Sequence, residues 1–164
     1  MKKEHLPVIG VGPLIVAPQL VLTAAGLWFV CTGHAAAGAL PALRLPLAFL
    51  GVACMAFGVY LWYAANFRVK IDECIKDNRL STTGVYALVR NPIYSAFFLA
   101  CTGAVLLAGS LVLLAVPPLC WLYMTLMLKN TEERWLAALY GAPYQAYCGR
   151  VNRCIPWFPK KTEG

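Results

Sequence analysis

Apolar residues along this chain fall into four long runs, and nearly every charged residue lies between or after them. The first run extends from about Leu6 to Cys31 and holds no charge; the second extends from about Leu45 to Phe67. The third and fourth, about Pro92 to Ala108 and Leu111 to Leu128, are separated only by Gly109 and Ser110. A helix needs about 20 apolar residues to cross the roughly 30 Å hydrocarbon core of a bilayer. All four runs meet or approach that length, and the last two must form a tight antiparallel hairpin if both span. Pro13 and Pro18 should kink the first run and leave carbonyls for a neighbouring helix to satisfy. That run is longer than the ~7–15-residue apolar core of a signal peptide and ends in no small-x-small cleavage site, so it reads as a retained span.

Composition agrees with the pattern. Of 164 residues, 60% are hydrophobic and 13% charged, an apolar surplus that a soluble domain of this size cannot bury. The expected architecture is all-α: a polytopic membrane protein with four transmembrane helices, the last two as a hairpin, and a cytoplasmic C-terminal helix. It forms one domain with two spans in 1–67, a connector in 68–91, the hairpin in 92–128 and a tail in 129–164.

Charge placement orients it. Thirteen of the fourteen Lys and Arg residues fall on one side of the four-span arrangement and Arg44 alone on the other. By the positive-inside rule both termini and the connector are cytoplasmic. The net charge of +7 is therefore a topology and lipid-surface signal. The basic residues do not form a nucleic-acid-binding face with stacking aromatics, so no nucleic-acid partner is expected. Seven cysteines and two histidines include no CxxC pair and no ligand spacing, so no metal is expected.

Polar chemistry concentrates where the runs meet the connector and the tail. Arg90, Asn91 and Tyr94 open one half of the hairpin, and Glu132 and Glu133 close the other, so the two clusters should meet in space. Read alone, the glutamates suit a helix start capped by Thr131, with Trp135, Leu136, Leu139 and Tyr140 as an apolar stripe on the membrane surface. Tyr144 and Tyr147 follow at i, i+3, with Arg150 three residues on, and form a candidate substrate-binding face. Pro143 is expected to break the helix before them, and Ile155, Pro156, Trp157 and Phe158 to anchor the end at the interface.

The ordered set TGVYALVRNPIY, hydrophobic hairpin, EE, GxxYxxYxxRV and IPWF resembles the isoprenylcysteine carboxyl methyltransferases and their phospholipid-methylating relatives. The resemblance covers about Asn78 to Phe158. Its one departure is Asn91, where the family signature RHPxY has histidine. The resemblance implies an integral membrane enzyme that uses S-adenosylmethionine, with a lipid-like or prenylated acceptor entering from the bilayer. Carried over residue by residue, Asn78, Arg79, Leu80, Ser81, Tyr86, Asn91, Pro92, Ile93, Tyr94 and Glu132 match cofactor-contacting positions.

The residue types suit that role. A carboxylate such as Glu132 accepts hydrogen bonds from hydroxyls and ammonium, and aromatics such as Tyr86 and Tyr94 pack on an adenine. A carboxylate acceptor needs guanidinium groups, for which Arg90 and Arg150 are candidates; an amine acceptor needs a base, for which Glu133 is the candidate. Two arginines against one glutamate favour a carboxylate. N-methylation of an amino phospholipid, an NADPH-dependent membrane reductase and a non-catalytic lipid-binding protein stay open as alternatives.

Overall fold

The computed structural model describes residues 11–33, 38, 40–70, 73–74 and 79–160. Asn78 and both chain ends, which the readings above address, lie outside the described residues. Among the described residues the protein is all-helical, with no strand. Helix α1 spans Gly12–Cys31, α2 Arg44–Tyr63, α3 Pro92–Ala108, α4 Val116–Asn130, α5 Glu132–Tyr140 and α6 Ala142–Arg150. Short 3-10 turns occupy Pro41–Leu43, Gly84–Ala87 and Val112–Ala115, and α2 runs on into a π-helical turn over Ala64–Arg68.

Three described stretches are long and apolar enough to cross a membrane: Gly12–Cys31, Pro41–Arg68 and Val112–Tyr140. The third expected span is shorter. Helix α3 has 17 residues, and at 1.5 Å per residue it is about 25 Å long. Pro18 lies inside α1 without ending it, since in an apolar bundle neighbouring helices can re-satisfy the carbonyl it frees.

Close backbone approach decides how α2 and α3 pack, and theirs is the most extensive helix contact in the protein. A Cβ placed on Gly58 would stand 2.8 Å from the Ala96 carbonyl oxygen, and one on Gly51 2.8 Å from that of Gly103. One on Gly103 would run into Met55. Lipid tails are as apolar as leucine, so helices in a bilayer gain little from hydrophobicity alone, and small residues that admit close van der Waals packing supply the association instead. Helix α1 lies against α3 and α4, where Ile15 packs with Met124, Leu128 and Cys154.

The two ends of the bundle are finished differently. At one end, Leu40 N–H donates to Gly109 O at 2.9 Å and Leu111 N–H to Gly38 O at 2.8 Å, clipping the α1–α2 loop to the α3–α4 turn. Gly109 takes a left-handed φ of 60° there, a conformation glycine adopts without a Cβ penalty. At the other end α4 stops at Asn130 and the chain breaks at Gly141 (φ 59°, ψ −132°) before α6. Pro143 was expected to be that break; it sits instead in the first turn of α6, where its missing N–H costs nothing. Thr131 was expected to cap α5, but it makes no cap and its hydroxyl donates to Met127 O at 2.6 Å.

Gly58→Ala should lower the thermal midpoint of detergent-solubilised protein, because overpacking a close helix contact costs about 1–3 kcal/mol. Gly149→Ala, whose new Cβ meets nothing within 4 Å, should leave the midpoint unchanged or raise it. Equal midpoints for Gly58→Ala and the wild type would show that α2 and α3 are not held by this contact.

Candidate functional site

The sequence puts Arg90 just before α3, Tyr94 in its first turn, and Glu132 and Glu133 at the start of α5. The fold brings these positions together as two pairs. Tyr94 donates its hydroxyl to Glu132 Oε1 at 2.5 Å, and Arg90 Nη1 pairs with Glu133 Oε1 at 3.1 Å. Being adjacent, the two glutamates reach different partners. Glu132 also accepts the backbone N–H of Val11, which joins the start of α1 to the pair. Gly12 lies beside the pair: a Cβ there would make ordinary contact with the Tyr94 hydroxyl at 3.5 Å.

Glu133 carries a second guanidinium. Arg153 Nε lies 2.6 Å from Oε1, and its Nη2 lies 2.9 Å from Oε2, a two-point pairing. The Arg90 and Glu133 side chains are 8% and 12% exposed, so the carboxylate is held by charge-assisted hydrogen bonds out of water, where such bonds are strongest. The same carboxylate holds the Arg153 guanidinium above the usual arginine value. Arg90 Nη1 also touches Cys148 Sγ. Among the described residues, Arg90 Nε is buried with no hydrogen-bond partner.

Arg153 arrives on a segment that the residues beside α3 fasten down. Three successive carbonyls are accounted for: Asn152 O accepts from Arg90 N–H at 2.9 Å, Arg153 O from Asn91 Nδ2 at 3.0 Å, and Cys154 O from the Ser95 hydroxyl at 2.6 Å. Trp157 N–H then donates to Leu88 O at 3.0 Å. Asn91 thus supplies a side-chain N–H donor from the position where the family signature has histidine. Cys154 is buried, and burial pushes its thiol up to about 11, so it stays a neutral packing group at physiological pH.

The tyrosines of α6 close one side. Tyr144, Tyr147 and Val151 are buried together against Leu80, Leu136 and Tyr140. Burial raises both phenols, and the Tyr147 hydroxyl donates to Tyr86 O at 2.6 Å. Tyr86 lies within electrostatic reach of Tyr94. A cavity of about 470 Å³ opens beside this turn, lined by Arg68, Val69, Cys74 and residues 79–84. Arg79, Leu80 and Ser81 are thus on a cavity wall. Tyr94 and Glu132 are not among its lining residues; the Gly84–Ala87 turn connects the two places.

Other expected positions are set apart. Pro92 opens α3, and Ile93 packs against the Leu61, Val85 and Val89 cluster. Arg150 ends α6, is exposed, and has no part in the Glu133 cluster. The sequence reading missed Arg153, which it counted only as a topological charge. The available signal was an arginine set among Val151, Cys154 and Ile155 in an otherwise polar stretch. Among the described residues no group of His, Cys, Asp or Glu could hold a metal ion.

Comparison with known proteins places this geometry in context. The family described as phospholipid methyltransferase matches residues 46–143, about three-fifths of the chain. The chain is 35% identical over 85 residues to protein-S-isoprenylcysteine O-methyltransferase of Schizosaccharomyces pombe, covering 51% of this chain and 36% of that protein. It is 39% identical over 80 residues to methanethiol S-methyltransferase 1 of Bradyrhizobium diazoefficiens, covering 48% and 27%. It is 34% identical over 114 residues to the cobalt-zinc-cadmium resistance protein CzcN of Cupriavidus metallidurans, covering 70% and 50%. The chain therefore spans half or less of the length of these relatives. No solved structure matches it.

Asn91→Asp replaces a donor by an acceptor facing the Arg153 carbonyl, so residues 152–157 should loosen. The expected readout is faster hydrogen exchange at Trp157 N–H, with exchange in the α2–α3 contact unchanged. Wild-type exchange at Trp157 would mean that the Asn91 bond does not hold the segment.

Proposed function

Because the chain belongs to the phospholipid methyltransferase family, we propose that it is a membrane methyltransferase that transfers a methyl group from S-adenosylmethionine to a lipid-like acceptor bearing a carboxylate, as on an isoprenylcysteine. In this reading α3 joins the three longer apolar stretches as a fourth crossing of the bilayer, and both termini are cytoplasmic. Among the described residues, Arg68, Lys70, Arg79, Arg90, Lys129, Arg134, Arg150, Arg153 and Lys160 all fall in the segments after α2 or at and beyond the end of α4, with Arg44 alone at the start of α2. That distribution supports the cytoplasmic assignment.

The observation that carries the acceptor class is Arg90: a buried guanidinium with one nitrogen paired to Glu133 and Nε left without a partner. A buried donor left unsatisfied costs about 1–3 kcal/mol, which an anionic ligand would remove. Glu133, the candidate base for an amine acceptor, has both oxygens engaged by guanidinium groups, which favours a carboxylate over an amine.

The residues present fit the cofactor's chemistry. Glu132 offers a carboxylate whose observed partners, the Tyr94 hydroxyl and Val11 N–H, are both neutral. The Arg79–Ser81 wall borders a cavity of about 470 Å³, within the range of roughly 300–1,000 Å³ usual for small-molecule sites. Glu132, Tyr94 and Tyr86 would hold the cofactor together with Arg79, Leu80, Ser81 and the Asn91–Ile93 turn. When bound, S-adenosylmethionine supplies an electrophilic sulfonium methyl. The chain's own work is to hold and align. A carboxylate is already a nucleophile at neutral pH, so Arg90 draws it in and orients it without abstracting a proton, and Arg150 stands at the exposed approach. Tyr144 and Tyr147 wall the site against water, which strengthens the guanidinium–carboxylate attraction.

Detergent-purified protein should methylate a prenylcysteine in preference to a fatty acid or an amino phospholipid, read by mass spectrometry. Glu132→Gln keeps acceptors for Tyr94 and Val11 but loses the charge. It should weaken S-adenosylhomocysteine binding in calorimetry by about 1.5–3 kcal/mol, the usual worth of a hydrogen bond to a charged group. Methylation of the amino phospholipid alone would overturn the carboxylate reading; unchanged affinity would remove Glu132 from the cofactor site.

A further inference from the structure

We propose that Arg153 is a positioning residue that holds Glu133 away from full pairing with Arg90 and so keeps Arg90 open to an anionic acceptor. The role rests on the carboxylate reading above.

Arg153 occupies both oxygens of Glu133, at 2.6 and 2.9 Å. Arg90 is left with one contact to Glu133, 3.1 Å to the oxygen that Arg153 Nε already holds, beside its touch on Cys148 Sγ. An arginine and a carboxylate with no competitor pair through two parallel hydrogen bonds. Here that arrangement belongs to Arg153, and Arg90 keeps an unpartnered Nε. Removing Arg153 frees Oε2, and Glu133 can then turn its full face to Arg90.

The charge count points the same way. Two guanidiniums and one carboxylate leave the cluster at +1, and an incoming carboxylate brings it to zero. Without Arg153 the cluster is already neutral, and the same acceptor would bury a net negative charge, which is strongly unfavourable without a partner. Arg153 is itself held in register by the segment that carries Arg90, since Asn91 Nδ2 bonds the Arg153 carbonyl and Arg90 N–H bonds that of Asn152. The residue that opens Arg90 is thereby built onto the backbone beside it.

The test uses the full chain in detergent micelles with a prenylcysteine acceptor, and S-adenosylhomocysteine calorimetry as the measure of an intact cofactor site. Arg153→Gln should raise KM for the acceptor by about tenfold or more, the loss expected when a two-point charged contact is closed off, with a smaller change in kcat and in S-adenosylhomocysteine affinity. Adding Glu133→Gln to Arg153→Gln restores the cluster to +1 and should return KM to within roughly threefold of the wild type, since the competing carboxylate is gone. Arg153→Lys, which keeps the charge without the two-point geometry, should fall between. A double variant as impaired as Arg153→Gln would overturn the role, as would parallel loss of S-adenosylhomocysteine binding, which would mark a purely structural docking residue. A wild-type KM for Arg153→Gln would also overturn it. Wild-type enzyme that methylates only an amine would instead sink the carboxylate reading itself, and this role with it.

Discussion

A carboxylate removed from water must be matched by donors, and in this protein the matching of Glu133 determines how the polar end of the bundle is assembled. Its side chain is 12% exposed and meets Arg90 from the start of α3 and Arg153 from beyond α6. Those elements are far apart in the chain, so satisfying one charge fixes three pieces of backbone relative to one another. The hydrogen bonds from Arg90, Asn91 and Ser95 to the carbonyls of residues 152–154 follow from that placement. Desolvating two arginines and a glutamate is expensive, and such clusters seldom add net stability over an apolar core. The charges here are better explained by geometry: they hold the Arg90 guanidinium at a set place with its Nε unpartnered.

Glu132 shows a second use of the same logic. It draws in Tyr94 from α3 and the N–H of Val11 at the start of α1. The first N–H groups of a helix lack intrahelical partners and carry partial positive charge. A carboxylate supplied from α5 therefore ties α1 to the site end of the bundle.

Much of this arrangement was legible in the sequence because it is local. Arg90 and Tyr94 stand at the edge of one apolar run and Glu132 and Glu133 just beyond another, and joining those runs through a short turn brings the edges together. Helical class followed from apolar run length. What was not legible depends on redirection of the chain over longer distances. Arg153 reaches Glu133 only because Gly141 turns the chain between α5 and α6, and a Pro143 that starts a helix looks in sequence like one that ends it. The Thr131 hydroxyl could accept from the first N–H groups of α5 or donate to the carbonyl one turn back, and it donates. Nor does a run of apolar letters reveal that Gly51, Gly58 and Gly103 let the 17-residue α3 pack closely against its neighbour.

The separation of 20 residues between Glu133 and Arg153 also sets an order of events during synthesis. A ribosome adds roughly 5–20 residues per second, so Arg153 follows Glu133 by about one to four seconds, while the glutamate is still enclosed by the ribosome. Glu133 and Arg153 therefore leave it close together, and Arg90, made earlier, meets the carboxylate and its second guanidinium at nearly the same time. The cluster closes as a late step, after the helices that house it have been made.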